Sequence, residues 1–179
     1  MINLKIEKLE VGYLQTNCYI LIKDNNCLII DPGDEFDKIV SKVGKLNVMG
    51  VLITHHHFDH IGALEEIKNK YNCDVYDIYN LEEKEYNINN FIFDVIHTKG
   101  HHETSITFYF KEDKVMFTGD FLFKESIGRT DLETGNFIEM KKSLEKIKKY
   151  PKDITIYPGH GLSTTLEYEL NNNMFLRKV

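Results

Sequence analysis

Cysteine is scarce, long apolar runs are missing, and basic residues do not gather with aromatics; each absence removes a class of protein. Cys18, Cys27 and Cys73 are an odd number, without the spacings of a zinc or redox motif, so no disulfide framework and no cysteine-based site is expected. Each sits in or beside an apolar stretch and reads as a small buried hydrophobe, with a reducing cytoplasm as the default location. No stretch reaches the roughly 18 apolar residues of a membrane span, and no charged-then-apolar leader opens the chain; neither a membrane partner nor export is expected. The net charge is -6, and no Lys/Arg stripe is interleaved with aromatics, which argues against nucleic acid as a partner. Lys141, Lys142, Lys146, Lys148 and Lys149 do cluster, but on a helical pattern with Leu144 and Ile147 inside, so they read as a solvated helix face. No serine occupies a Gly-x-Ser-x-Gly elbow, which argues against a serine hydrolase.

What remains is a chain of 179 residues with ordinary apolar and charged fractions (42% and 28%), long enough to bury a core as one domain over residues 1–179. Apolar runs predict strands over Lys5–Leu9, Asn17–Ile22, Cys27–Ile30 and Val51–Ile53 in the first third. Later runs predict them over Val75–Ile78, Phe91–Ile96, Ser105–Phe110, Val115–Thr118 and Ile154–Tyr157. Helical spacing of Phe36, Ile39, Val40 and Val43 predicts a helix over about 35–45. Ile61, Leu64, Ile67 and Tyr71 mark a second helix, Ile138, Leu144 and Ile147 a third, and Leu166–Leu176 a closing one. Asp31-Pro32-Gly33 reads as a turn. The class is α/β or α+β, with sheet layers covered by helices.

Four of the eight histidines lie within six residues, in Thr54-His55-His56-His57-Phe58-Asp59-His60. On an extended segment, side chains at i and i+2 leave on the same side, so His55, His57 and Asp59 are expected to converge while His56 and Phe58 point away. His60 falls at the turn into the next helix. Imidazole nitrogens and carboxylate oxygens suit zinc, iron or manganese, and this run offers two pairs of ligands to two neighbouring ions. A terminal purification tag would not lie here, after a buried strand.

Three further blocks share one form, an apolar run followed by glycine and a ligand-type residue: Gly100-His101, Gly119-Asp120 and Gly159-His160. Functional groups collect on loops at strand ends, so these blocks and the histidine run are expected at one edge. Asp120 alone would read as a turn residue and His160 alone as a loop histidine; their company makes them ligand candidates. His97 reads as a strand residue and His102 as a loop neighbour of the site. Arg129 and Asp131 read as an ion pair fixing the loop after Asp120, and Tyr13, Asn17 and Phe123 as residues at the mouth.

These blocks, with Leu14-Gln15-Thr16-Asn17-Cys18-Tyr19, Ile127-Gly128-Arg129-Thr130-Asp131 and Thr164-Thr165 with Glu169 and Asn173, resemble the metallo-β-lactamase superfamily. The likeness is greatest to its small glyoxalase II-like hydrolases and covers nearly the whole chain. The resemblance implies a four-layer αβ/βα sandwich with the site at one edge between two sheets. It implies that His55, His57 and His101 bind one metal ion, that Asp59, His60 and His160 bind a second, and that Asp120 bridges both. It implies two divalent ions, zinc first with iron or manganese compatible, and hydrolysis of a small thioester or acyl ester in which Asp59 and Asp120 orient the nucleophile. A mononuclear iron persulfide dioxygenase and a non-catalytic metal-binding domain are the alternatives. Lys99, His102, Glu103 and Thr104 depart from the family's Thr-Pro-Gly-His-Thr-Pro-Gly flanks, and Met174 stands where proline is common. Full-length glyoxalase II enzymes also carry a C-terminal helical domain that grips glutathione; this chain ends at Val179, so the substrate subsite is expected to be either absent or built differently. Oligomeric state is not legible in the sequence.

Overall fold

Apolar residues on both faces of the central strands dictate the layering, in a computed structural model that describes residues 4–179. One sheet takes β1 (Lys5–Val11), β2 (Thr16–Lys23), β3 (Asn26–Ile30), β4 (Asn47–Leu52) and β5 (Val75–Tyr76), hydrogen-bonded in that order. β1 to β3 are antiparallel, and β3 to β5 are parallel. The second sheet contains β6 (Glu85–Ile88), β7 (Phe91–His97), β8 (Ile106–Phe110), β9 (Val115–Gly119), β12 (Thr155–Pro158) and β13 (Thr164–Thr165). Its spatial order is β13-β12-β9-β8-β7-β6, and only β12 and β9 run parallel. A small hairpin, β10 (Leu122–Phe123) with β11 (Ser126–Ile127), lies between β9 and β12 in the chain. The helices are α1 (Phe36–Val43), α2 (Phe58–Ile61), α3 (Leu64–Tyr71), α4 (Phe137–Ile147), α5 (Leu166–Asn172) and α6 (Met174–Lys178).

Alternation along each strand sends one set of side chains between the sheets and the other set under helices. Tyr19, Leu21, Leu28, Ile30 and Leu52 face Phe93, Phe108, Phe110 and Phe117 in the central core. Their neighbours Cys18, Ile20, Cys27, Ile29 and Val51 pack instead against Ile39 and Val43 of α1 and Ile67 of α3. Tyr109, Met116 and Ile156 on the other sheet pack against Met140, Leu144 and Ile147 of α4, Leu166 of α5 and Leu176 of α6. The result is helix, sheet, sheet, helix, the αβ/βα sandwich that the resemblance implies. Among the described residues no helix is long and apolar enough to cross a membrane.

Local structure departs from the sequence reading at several points. The closing helix breaks at Asn173, whose backbone leaves the helical region while its side chain caps Phe175 N–H and donates to Glu169 and the Ser126 carbonyl. The helix expected over about 35–45 spans only Phe36–Val43, with Glu35 in the left-handed region before it and Gly44 after it. β6, β10, β11 and β13 were not anticipated; three are only two residues long and carry too short a pattern.

Candidate metal centre

All four ligand blocks follow the ends of β4, β7, β9 and β12, and hydrogen bonds draw these ends together. Ile106 N–H at the start of β8 donates to Thr54 O at 2.8 Å, tying the two sheets at that edge. Gly159 N–H donates to Gly119 O at 2.8 Å, which sets His160 beside Asp120. β2 clamps the same loop: Asn17 N–H donates to Gly159 O (2.7 Å), Asn17 Nδ2 to Pro158 O and Gly161 O (both 3.0 Å), and Tyr19 OH to Pro158 O (2.6 Å). Two glycines are required here. Gly119 has φ +51°, and a Cβ on it would run into the Thr54 side chain. A Cβ on Gly159 would meet Asp120 Oδ1 and lie 2.7 Å from His60 Cε1.

Three groups of donors result among the described residues; in one, Asp31–His55–His60, the Asp31 carboxylate accepts the Nδ1–H of His60, and the other two face the centre. His55, His57 and His101 form one and Asp59, His60 and His160 the other, with ligand atoms in each within 4.8 Å of one another. The extended-segment reading is corrected at Asp59. The chain turns into α2 at Phe58, so Asp59 leaves the line of His55 and His57 and joins His60 and His160. Asp120 lies between the groups: its Oδ1 is 3.3 Å from His60 Nε2, and its Oδ2 is 3.4 Å from His160 Nε2 and 3.6 Å from His101 Nε2.

The hydrogen bonds behind the imidazoles fix which nitrogen each turns inward. His60 Nδ1–H donates to Asp31 Oδ2 (2.8 Å), His101 Nδ1–H to Arg129 O (2.8 Å) and His160 Nδ1–H to Leu14 O (3.1 Å). His55 Nδ1–H donates to Thr54 Oγ1 (3.1 Å), which donates in turn to Asp31 Oδ2 (2.6 Å). These four present Nε2 to the centre. His57 presents Nδ1, 3.1 Å from His55 Nε2 and 2.9 Å from His101 Nε2. Asp31 does more than open the turn expected at Asp31-Pro32-Gly33. It also accepts Thr54 N–H (2.8 Å), is buried, and holds a left-handed φ of 50° that aspartate tolerates better than most residues.

Three imidazole nitrogens converging within about 3 Å have at most one proton to share, and their remaining lone pairs repel unless a cation stands among them. His60 Nε2 and Asp120 Oδ1 are buried without a hydrogen-bond partner. Such orphaned atoms, aimed at one another's neighbourhood, fit a metal ion. Charge separates the groups. Burial, reinforced by neighbouring imidazoles, lowers the His57 pKa to about 4 and holds His55 well below its ordinary value. At the other group burial opposes the charged forms, but the opposed charges win: Asp120 and Asp59 raise His160 to about 9, Asp120 and Asp31 raise His60, and His160, His60 and Thr16 lower Asp59 to about 2. Thr16 Oγ1 donates to Asp59 Oδ2 at 2.8 Å.

The other residues that the sequence singles out take different places. Arg129 and Asp131 form an exposed two-pronged ion pair (2.8 Å on each prong), and His97 ends β7 as a strand residue, its N–H donating to Glu83 and its carbonyl accepting from Lys146. Tyr13 lines a cleft of about 400 Å³ with Val11, Leu14, Phe58 and Asp59, and the Phe123 ring centroid is 6.2 Å from that of His160. Asn17 is buried under the His160 loop instead of lining the mouth.

Fold and centre together define a member of the metallo-beta-lactamase superfamily. The family's profile matches residues 11–84 and 77–160, and the chain belongs to it. The chain is 34% identical over 206 residues to the probable metallo-hydrolase YqgX of Bacillus subtilis, covering 97% of this chain and 98% of that protein. It is 30% identical over 208 residues to the hydroxyacylglutathione hydrolase GloC of Haemophilus influenzae, with the same two coverages. Among solved structures it is similar to the BLEG-1 B3 metallo-beta-lactamase (TM-score 0.92, 30% identity, 96% of this chain and 99% of that one). It is also similar to TTHA1623 in a di-iron-bound form (TM-score 0.86, 30% identity, 94% and 99%).

Proposed function

We propose that this metallo-hydrolase is binuclear, with His55, His57, His101 and Asp120 holding one divalent cation and Asp59, His60, His160 and Asp120 the other, and that it cleaves a small thioester or acyl ester. The observation that carries this reading is the position of Asp120, whose two carboxylate oxygens reach imidazoles of both groups. A single-ion centre would leave one of the two groups, with its preset lone pairs, without purpose. Nitrogen and carboxylate donors suit zinc first; iron is compatible, and the similar TTHA1623 is di-iron-bound.

When bound, such cations make water nucleophilic at neutral pH and polarise an acyl oxygen. Asp59, fixed by the Thr16 hydroxyl, would take the proton of the attacking water and pass it to the leaving group, while Asp120 would hold that water in position. His55 and His57 stay neutral, so their lone pairs remain available at neutral pH. Neither core cysteine competes as nucleophile: Cys18 and Cys27 are buried, and burial pushes the Cys27 thiol up to about 12; burial also raises the partly exposed Cys73. Thioesters are favoured as substrates by the likeness to hydroxyacylglutathione hydrolase GloC, matched over 98% of its own length.

A hydrolysis panel on metal-loaded protein tests the reading: a hydroxyacyl-glutathione thioester, a simple aryl ester, a β-lactam, and a persulfide with oxygen uptake recorded. Thioester cleavage without oxygen uptake is the expected result. Oxygen consumption with the persulfide, or β-lactam cleavage alone, contradicts it.

A further inference from the structure

His102 departs from the family's flanking pattern and is the one imidazole at the centre that neither metal group uses. Its Nδ1 accepts the backbone N–H of Thr104 at 3.1 Å and lies 2.7 Å from Thr104 Oγ1. That hydroxyl already accepts His56 N–H at 3.1 Å, so its own proton is free for His102 Nδ1. Two donors on one nitrogen leave it bare and place the ring proton on Nε2. The ring stands edge-to-face against His57, centroids 4.6 Å apart, and 6.1 Å from that of His55. Nε2 has no protein partner among the described residues and is not among the buried orphaned atoms. The ligand imidazoles turn a coordinating nitrogen inward to the two donor groups, whereas His102 offers a donor beside them. His55 and His60 are buried, while His57 and His102 are partly exposed.

We propose that His102 determines substrate specificity, its Nε2–H donating a hydrogen bond to an oxygen on the thiol-carrier part of the substrate, a carrier rich in amide or carboxylate groups. The thioester reading above supplies the carrier, and the geometry supplies the donor. The reacting carbon must sit at the partly buried carboxylates Asp59 and Asp120, between the two donor groups, so an oxygen met at His102 lies outside the bond that breaks. Thr104 is buried and acts through His102 as its positioning residue.

The test uses S-methylglutathione, a carrier analogue with no bond to hydrolyse, titrated into zinc-loaded wild-type, His102→Phe and His102→Gln protein by calorimetry. Glutamine keeps an N–H donor near the Nε2 position, and phenylalanine keeps only bulk. Expected is a 5- to 10-fold weaker Kd in His102→Phe, about 1.0–1.4 kcal/mol, with His102→Gln within about twofold of wild type. Metal content should be equal in all three. In parallel, nitrogen NMR of the wild-type imidazole should show Nδ1 bare and Nε2 protonated. With a glutathione thioester, KM should rise in His102→Phe by the same factor while kcat stays within about twofold. Unchanged binding in His102→Phe, equal loss in both variants, no binding by wild type, or a proton on Nδ1 overturns the proposal. Normal binding of the analogue without any thioester cleavage retires the hydrolase reading alone and leaves the role of His102 standing.

Discussion

Asp31 accepts the Nδ1–H of His60 at 2.8 Å, and both side chains are buried. This carboxylate decides which nitrogen His60 turns to the centre, and through Thr54 it does the same for His55. Asp31→Ala should weaken metal binding by about 10- to 100-fold, the range found when such supporting partners are lost. Competition with a chelator of known affinity measures it; unchanged affinity would show that the imidazoles orient themselves.

Gly159 leaves room where any side chain would press on Asp120 and His60. Gly159→Ala should lower hydrolysis by at least about tenfold, because displacements near 1 Å at reacting groups cost about that much or more. The fold should survive, since the clash is confined to the loop after β12. Steady-state kinetics with circular dichroism on the same sample separates the two effects.

Proton linkage gives a signed expectation. Asp120 and Asp59 raise His160 to about 9 against burial, so in metal-free protein this imidazole is protonated at pH 7. A cation entering the Asp59–His60–His160 group must displace that proton. Metal affinity should therefore rise with pH up to about 9, with proton uptake by buffer during calorimetric titration. The metal-free fold behaves oppositely: a folded pKa above the ordinary 6.5 stabilises fully below pH 6.5, and that contribution is lost as pH climbs through about 9. Thermal unfolding of chelated protein across pH 6–10 checks the sign.

Phe117 is fully buried between the sheets, with ring centroids 5.1 Å from Tyr19, 5.3 Å from Tyr157 and 5.8 Å from Phe110. Phe117→Ala should cost about 3–5 kcal/mol of stability. Denaturant melts of metal-free protein read it without the contribution of bound ions.

His55, His57, Asp59 and His60 were legible as a dense cluster after an apolar strand, and His101, Asp120 and His160 because each follows an apolar run and a glycine, a pattern set by the need to turn sharply at a strand end. Sheets covered by helices were legible for a related reason, since strands such as Cys27-Leu28-Ile29-Ile30 are apolar on both faces; the four-layer αβ/βα arrangement followed only from the family resemblance. Asp31 was not legible as a supporting residue, since Asp-Pro-Gly is an ordinary turn string and its partner His60 lies 29 positions away. Asp59 was misplaced because the i, i+2 rule holds only while the chain stays extended, and nothing in Phe58 itself announces a helix start. The break at Asn173 depends on the buried Glu169 carboxylate that captures its side chain, a tertiary contact outside helical spacing.

The central claim is that Asp120 joins two cation sites into one hydrolytic centre, and metal stoichiometry tests it most directly. Zinc added stepwise to metal-free protein, with bound metal and thioester hydrolysis followed together, should reach two ions per chain, with full activity only at the second equivalent. Asp120→Asn should lose at least one ion and about 10²-fold or more in kcat. Full activity at one ion per chain, or an Asp120→Asn protein that still binds two ions and turns over normally, would contradict the account.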